Sequence, residues 1–239
     1  MLKQPNPQNN SNSTNFVQHQ WNIIYPSHPR PAHLMMQPAN KRTYSDAFNI
    51  SKRTGKILWE LLTPVLPDSK SKDLLHNIEI ALYQWMLTNP IKNELPIDNI
   101  PFLNGLQFNE EHTLQKNMNV TVTATRDDKN HIELLMPAIN PMQDIIAPPK
   151  TESCKLKIMA TTYSVADGAK ASGCLTELDI PYNNLEVPAE KITLPLIAEK
   201  GTLVIVAMAI EYNILKEQNL HIVYNRERIP AGIIWAGYN

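Results

Sequence analysis

The sequence predicts an α+β protein: a helical hairpin followed by an antiparallel Ig-like β-sandwich, with an irregular N-terminal arm. Three observations lead to this prediction. Apolar residues recur at helical spacing before residue 89, they alternate at a period of two after residue 118, and a polar, proline-rich stretch precedes both. We therefore divide the chain into an arm (residues 1–43), the helical hairpin with its linker (44–103) and the sandwich (104–239).

The arm is polar overall but contains one apolar stretch. Nine of its first twenty residues are Asn or Gln, and six prolines fall before residue 40, a composition typical of a disordered tail. Residues 16–25 (FVQHQWNIIY) are too apolar for a simple tether. Extended segments of this kind add to sheet edges through main-chain hydrogen bonds. We expect this stretch to lie on a sheet edge or in a helical groove, of its own chain or a neighbour's, anchored by Phe16, Trp21, Ile23 and Tyr25.

Two amphipathic helices are predicted after the arm. The first begins at Ser45 or Asp46, either of which can cap it, and is closed by prolines. The second begins at Ser69 or Ser71 and ends near Thr88. A short turn joins the two, so we expect them to lie antiparallel.

Three basic residues on the first helix form a candidate partner-contact patch. Lys52, Arg53 and Lys56 fit the solvated face of an amphipathic helix, which is the simpler interpretation. The functional alternative is contact with an acidic surface on a neighbouring sandwich domain.

Seven or eight short strands are predicted in the remainder of the chain, with turns at the regular spacing of an antiparallel sandwich. One of them, LVIVAMAI over residues 203–210, is apolar on both faces, so both faces must be covered. The sandwich core covers one face. We infer that the helices or the arm cover the other, and small Ala207 and Ala209 permit a close approach.

The cysteines and histidines give no sign of a metal or cofactor site. No CxxC motif and no Cys/His cluster is present, and the seven histidines are scattered. We expect Cys154 and Cys174 to be free thiols, because a hairpin centred on Gly168 places a residue near Thr162 opposite Cys174. No catalytic, cofactor-binding or metal-ligating residue is therefore predicted.

Charge and hydropathy exclude two classes of partner. A formal net charge of −1 is far from the basic footprint of a nucleic-acid binder. No apolar run approaches the roughly 18 residues of a membrane span, so no membrane insertion is expected. The N-terminus has no secretory signal, which favours the cytoplasm, or an assembly exported by a non-classical route. The expected partner is protein, through self-association or as another subunit.

Several short motifs resemble a family of uncharacterised proteins of similar size, common in Bacteroidota. That family has a helical A-x-F-x-x-[AS]-x-x-x-G-K-x-[LI] segment, which is AFNISKRTGKIL here (47–58) with one spacer missing. It has a G-F-x-F-N joint into its β domain, which is GLQFN here (105–109), and an I-E-[FY] motif, which is IEY here (210–212). The resemblance covers residues 46–239 and implies no catalytic residues; the Gly- and Lys-rich opening segment of the family is missing here.

The joint motif also has a local explanation. Gly105 allows the backbone to turn where a Cβ atom would clash, and Leu106 and Phe108 point to one side. The joint would then fix the helices to the sandwich.

These observations predict a non-enzymatic structural or assembly protein, whose β-sandwich and arm make subunit or partner contacts. The alternative is a glycan- or protein-binding β-sandwich module that uses the loops at one end. An enzyme ranks last, because no nucleophile–base or acid–base pair can be named.

Overall fold

The structure is a computed structural model that describes residues 16–24, 39–67, 71–88, 96–165, 170–216, 219–222, 225 and 228–239. It combines α-helices with antiparallel sheets, so the fold is of the α+β class. No helix in these ranges is long and apolar enough to cross a membrane.

The helices and strands follow one another with short connections. The helices are α1 (Ala39–Leu62), extended by a 3-10 turn (Thr63–Val65), α2 (Lys72–Thr88), α3 (Leu114–Asn117) and α4 (Pro141–Asp144). The strands are β1 (Phe16–Ile24), β2 (Thr123–Arg126), β3 (His131–Met136), β4 (Thr151–Ser164), β5 (Lys170–Pro181), β6 (Glu190–Ile197), β7 (Thr202–Lys216), β8 (Asn219–Ile222) and β9 (Ala231–Tyr238).

The strands form two sheets. The larger sheet has the order β1-β5-β4-β7-β8, and β9 also pairs with β7. Strand β4 pairs along nearly the whole of β7, so β8 and β9 lie on the other side of β7, at opposite ends of it. The smaller sheet has the order β2-β3-β6.

Strand β7 is covered on both faces, as its sequence predicts. Leu203, Ile205, Ala207 and Ala209 belong to a core shared with α1 and α2. The opposite face, which includes Val206, belongs to a second core shared with β2, β3 and β6. The result is three layers: helices, the larger sheet and the smaller sheet.

The helices α1 and α2 run in opposite directions against the larger sheet. The ring of Phe48 in α1 meets that of Tyr83 in α2 edge-on, and Gly55, further along α1, lies against Glu79, which precedes Tyr83. The hydroxyl of Ser71 accepts a hydrogen bond from the Leu74 amide and so caps α2.

The start of α1 differs from the prediction. It begins at Ala39, before the predicted caps Ser45 and Asp46, and inside the segment assigned to the arm. Pro38 is the last proline of the arm, so nothing in the following six residues prevents helix formation. A capping residue permits a helix to begin but does not require it.

The segment that joins the helices to the sheets, residues 96–109 (the joint), lies along the outer edge of β9. Main-chain hydrogen bonds connect Ile97 with Tyr238, Leu106 with Ile233, and Phe108 with Ala231. Phe108 is buried in the helix-side core and Leu106 packs against that core, so the two side chains lie on one side, as predicted. These bonds cover the main-chain groups that β9 would otherwise expose.

Two residues of the joint have roles that correct or extend the sequence argument. No atom lies within 4 Å of a Cβ built on Gly105, so the expected clash is wrong; the reason for glycine is its φ of +80°. The side-chain oxygen of Asn104 accepts a hydrogen bond of 2.6 Å from the main-chain N–H of Ala236. The side-chain nitrogen of Asn104 donates one of 3.2 Å to the main-chain carbonyl of Ala236. Asn104 therefore extends the pairing of β9 at a point where the chain turns.

Both cysteines are free, as predicted, and both are buried. The residue opposite Cys174 is Ala160, two positions from the expected Thr162, and Ile180 lies opposite Cys154. Moving the centre of the hairpin by one residue shifts every cross-strand partner by two, which accounts for the difference.

Among the described residues, Trp85 is the largest fully buried side chain, and its ring centroid lies 5.4 Å from that of Tyr238 in β9. We expect Trp85→Ala to lower the free energy of unfolding by about 3–5 kcal/mol, because it removes a large aromatic ring from the contact between helices and sheet. Chemical denaturation measures this. Leu87→Ala on the same helix is the control, since Leu87 is 38% exposed; its cost should be within about 0.5 kcal/mol. Equal costs would contradict the assigned core position of Trp85.

Burial raises the pKa of Cys154 to about 12 and that of Cys174 to about 11. The thiolate is the reactive form, so we expect neither thiol to react with Ellman's reagent in the folded protein at pH 8 and both to react in denaturant.

Because both values are raised above the usual 9.0, the contribution of these groups to stability is complete below pH 9 and is lost at more alkaline pH. Rapid labelling of a thiol in the folded chain would contradict the burial.

Candidate functional site

Strand β1 lies at the end of the larger sheet, antiparallel to β5. The register runs without a shift from Phe16 opposite Leu178 to Ile24 opposite Lys170. The apolar stretch of the arm thus occupies a sheet edge of its own chain, one of the arrangements expected from the sequence. Main-chain pairing holds the strand, and alternate side chains point to the two faces of the sheet.

Trp21 is the best-fixed side chain of β1. It lies opposite Gly173 and packs, partly buried, against the helix-side core. A Cβ atom on Gly173 would lie 2.7 Å from Cε2 of Trp21 and 2.8 Å from Cε of Met159. Gly173 therefore leaves the space that the indole ring and the Met159 methyl group fill.

Two polar side chains fix β1 on the opposite face. The Gln20 amide donates a hydrogen bond of 2.5 Å to the Pro195 carbonyl of β6, in the smaller sheet. The Ser172 hydroxyl of β5 donates one of 2.6 Å to the Asn22 side chain. Strand β1 thereby contacts the larger sheet, the smaller sheet and the core beneath the helices.

The other predicted anchors contribute less. Ile23 lies opposite Ala171 and is 36% exposed, and Phe16 pairs at the far end of the strand. Tyr25 lies outside the described residues. Trp21 is thus the predicted anchor for which the structure provides a fitted position.

The basic patch of α1 is divided between surface and sheet. Lys52 and Lys56 are exposed, and the Lys52 ammonium lies 4.7 Å from the centre of the Phe48 ring, a cation–π contact. Arg53 is half-buried. Burial raises the pKa of Tyr163, while the charge of Arg53 and a hydrogen bond with Thr54 lower it. The charge of Arg53 therefore lies close enough to Tyr163 of β4 to influence it, which places Arg53 at the contact between α1 and the sheet.

A row of charges covers the end of the sheet face that the helices leave open. Lys157 lies 2.7 Å from Glu211 and 3.9 Å from Glu177, and Lys155 lies 3.7 Å from Glu177 and 3.5 Å from Asp179. Val17 of β1 pairs opposite Glu177, at the end of this row, and is 51% exposed. Each charged side chain of this row has an oppositely charged partner on a neighbouring strand of the sheet.

Two small recesses lie in the described surface. An apolar cavity of about 150 Å³ lies beside the joint, lined by residues that include Gln107, Met118, Val122, Met208 and Ile233. A polar recess of about 120 Å³ lies where β4 and β6 end and β5 and β7 begin, lined by Thr162, Ser164, Lys170, Ser172, Ile197, Glu199, Lys200 and Thr202. No group of three or more His, Cys, Asp or Glu side chains that could hold a metal ion occurs in the described part of the chain.

The residues of the body that receive β1 were not predicted from the sequence. Gly173 lies inside β5, which begins at Lys170. A glycine inside a strand often marks the close approach of another group, and this signal could have indicated the position of Trp21. Ser172 and Pro195 carry no comparable signal, because their roles depend on which strand lies beside them.

Searches for similar proteins returned no matching family model, no matching curated protein and no matching solved structure. The resemblance to the Bacteroidota family stays a prediction.

The Trp21–Gly173 contact can be tested by a double-mutant cycle. We expect Gly173→Ala to destabilise the protein by about 1–3 kcal/mol, because the added methyl group overlaps the indole ring. In a Trp21→Ala background the same substitution should cost clearly less, since the overlap is then with the flexible tip of Met159 alone. Chemical denaturation of the four proteins measures the coupling. Additive costs would show that Trp21 does not occupy this position.

Proposed function

We propose that this chain is a non-enzymatic structural or assembly protein, whose β-sandwich and N-terminal arm contact another subunit or partner. One observation carries the proposal: β1, remote from β5 in sequence, completes the larger sheet through unbroken pairing and a fitted tryptophan. Strand addition of this kind is a common way in which chains recognise one another. The body and the arm would then form one contact surface.

We also propose that the body is an Ig-like β-sandwich preceded by a helical hairpin. With the strands β2, β3, β4, β5, β6, β7 and β9 lettered A to G in chain order, the smaller sheet holds A, B and E, and the larger holds D, C, F and G. Constant-type immunoglobulin domains have the same arrangement except that D lies beside E. The outer edge of this displaced strand, β5, is the edge on which β1 lies.

The second candidate is a glycan- or protein-binding module that uses the loops at one end of the sandwich. The polar recess favours it, because it combines hydroxyl groups with Lys170 and Lys200 at such an end. It ranks below the assembly function because no aromatic side chain lines this recess, and glycan sites commonly offer one for stacking.

Deletion of residues 1–38 tests the assembly function while leaving α1 complete. We expect light scattering to give the full chain a mass of more than one 27.1 kDa chain, and the deletion to lower the number of chains per particle. The melting temperature should fall by roughly 4–10 °C, because the protein loses the packing of Trp21 and the pairing with β5. Trp21→Ala is the control, because it weakens the docking without removing the strand.

An unchanged number of chains per particle and an unchanged melting temperature after deletion would contradict the proposal. A full chain that is monomeric at every concentration, yet is destabilised by the deletion, would favour the second candidate.

A further inference from the structure

Among the described residues, the outer edge of β1 has no strand paired with it and no protecting side chain of its own. The strand is nine residues long, its register has no bulge, and no described strand pairs with its outer side. Its sequence, FVQHQWNII, contains no Lys, Arg, Asp, Glu or Pro. Proteins commonly prevent edge-to-edge association by placing such residues on edge strands, or by keeping these strands short.

The other terminal strands are protected. The edge of β9 is bonded to the joint, through Ile97, Leu106 and Phe108. Strand β6 contains Pro195 and has Lys191 paired with Glu133. Strands β2 and β8 are four residues each. The contrast indicates that the edge of β1 is kept open.

The sequence of β1 is complementary to itself when reversed. In an antiparallel pairing of two copies centred on Gln20, each residue meets one of similar chemistry: Val17 meets Ile23, Gln18 meets Asn22, and His19 meets Trp21. Apolar, amide and aromatic side chains each face their own kind, and cross-strand pairs of this type stabilise sheets. No like charges oppose one another.

We propose that β1 pairs edge to edge with β1 of a second copy of this chain, antiparallel and centred on Gln20, and so joins two large sheets into one. The contact is isologous, with the same strand edge contributed by both chains around a two-fold axis. The inference rests on the proposed assembly function and specifies its partner. Main-chain hydrogen bonds supply the pairing, and the self-complementary side chains fix the register.

Cysteine cross-linking of the full chain tests the register. Val17 and Ile23 are both partly exposed, and their side chains point to the face opposite to that of the buried Cys174. Within one chain, cysteines at these positions are about 20 Å apart, too far for a disulfide that needs Cα atoms within about 7 Å. Across the proposed pairing they lie directly opposite. Val17→Cys with Ile23→Cys should therefore convert most of the protein to a disulfide-linked two-chain species under mild oxidation.

The single variants Val17→Cys and Ile23→Cys are the matched controls. Each places a thiol on the same face of β1, but across the proposed pairing the two copies of the same thiol lie about 20 Å apart. Little two-chain product is expected from either control. A test variant that stays single-chain, or a control that cross-links to the same extent, would overturn the proposal.

A second variant avoids engineered thiols. Val17→Lys places a charge beside Glu177 of its own chain, where the surface accepts it, but opposite Ile23 of the second copy. Light scattering should show the two-chain mass for the unmodified protein and for Val17→Thr, and the one-chain mass for Val17→Lys. An unchanged mass for Val17→Lys would overturn the edge pairing. If deletion of the arm still lowered the number of chains per particle in that case, the assembly function would stand with a different contact.

Discussion

The two apolar faces of β7 are the constraint on which the rest of the architecture depends. Its main chain is paired on both sides along most of its length, and its side chains are buried above and below. A strand of this kind is stable only between two covering layers. The smaller sheet supplies one layer and the helices supply the other. The side chains of Ala207 and Ala209 on the helix-facing side are small, so α1 and α2 can approach the main chain of β7 closely.

The joint connects these two covers through β9. It leaves α2, follows the outer edge of β9 by main-chain pairing, and then continues into α3 and the smaller sheet. The contact of Trp85 with Tyr238 places the end of α2 against the same strand. Asn104 pairs with Ala236 through its side chain at the point where Gly105 changes the direction of the chain. A movement of the helices would therefore disturb the edge of the larger sheet as well as the core.

Local patterns in the sequence predicted most strands well, because a strand buried on one face alternates and a strand buried on both does not. The doubly apolar β7 even predicted the layering. Pairing between distant segments was harder to predict, because the sequence of a strand such as β1 does not indicate which strand it will pair with. The apolar residues Trp21 and Ile23 indicated the strand that docks, β1. The position in β5 that receives Trp21 depends on the absence of a side chain at Gly173. A single glycine is a weak signal for such a contact in one sequence.

The docking of β1 changes the character of the sheet edge rather than removing it. Without β1, the larger sheet would end at β5, whose sequence includes Lys170, Glu177 and Asp179. Charges on an edge strand oppose association, so β5 would be a protected edge. With β1 in place, the sheet ends in a long strand without charged residues or proline. An arm that only stabilised the body would have no need to replace a charged edge by a neutral, self-complementary one. This exchange is best explained if the new edge is used for contact between chains.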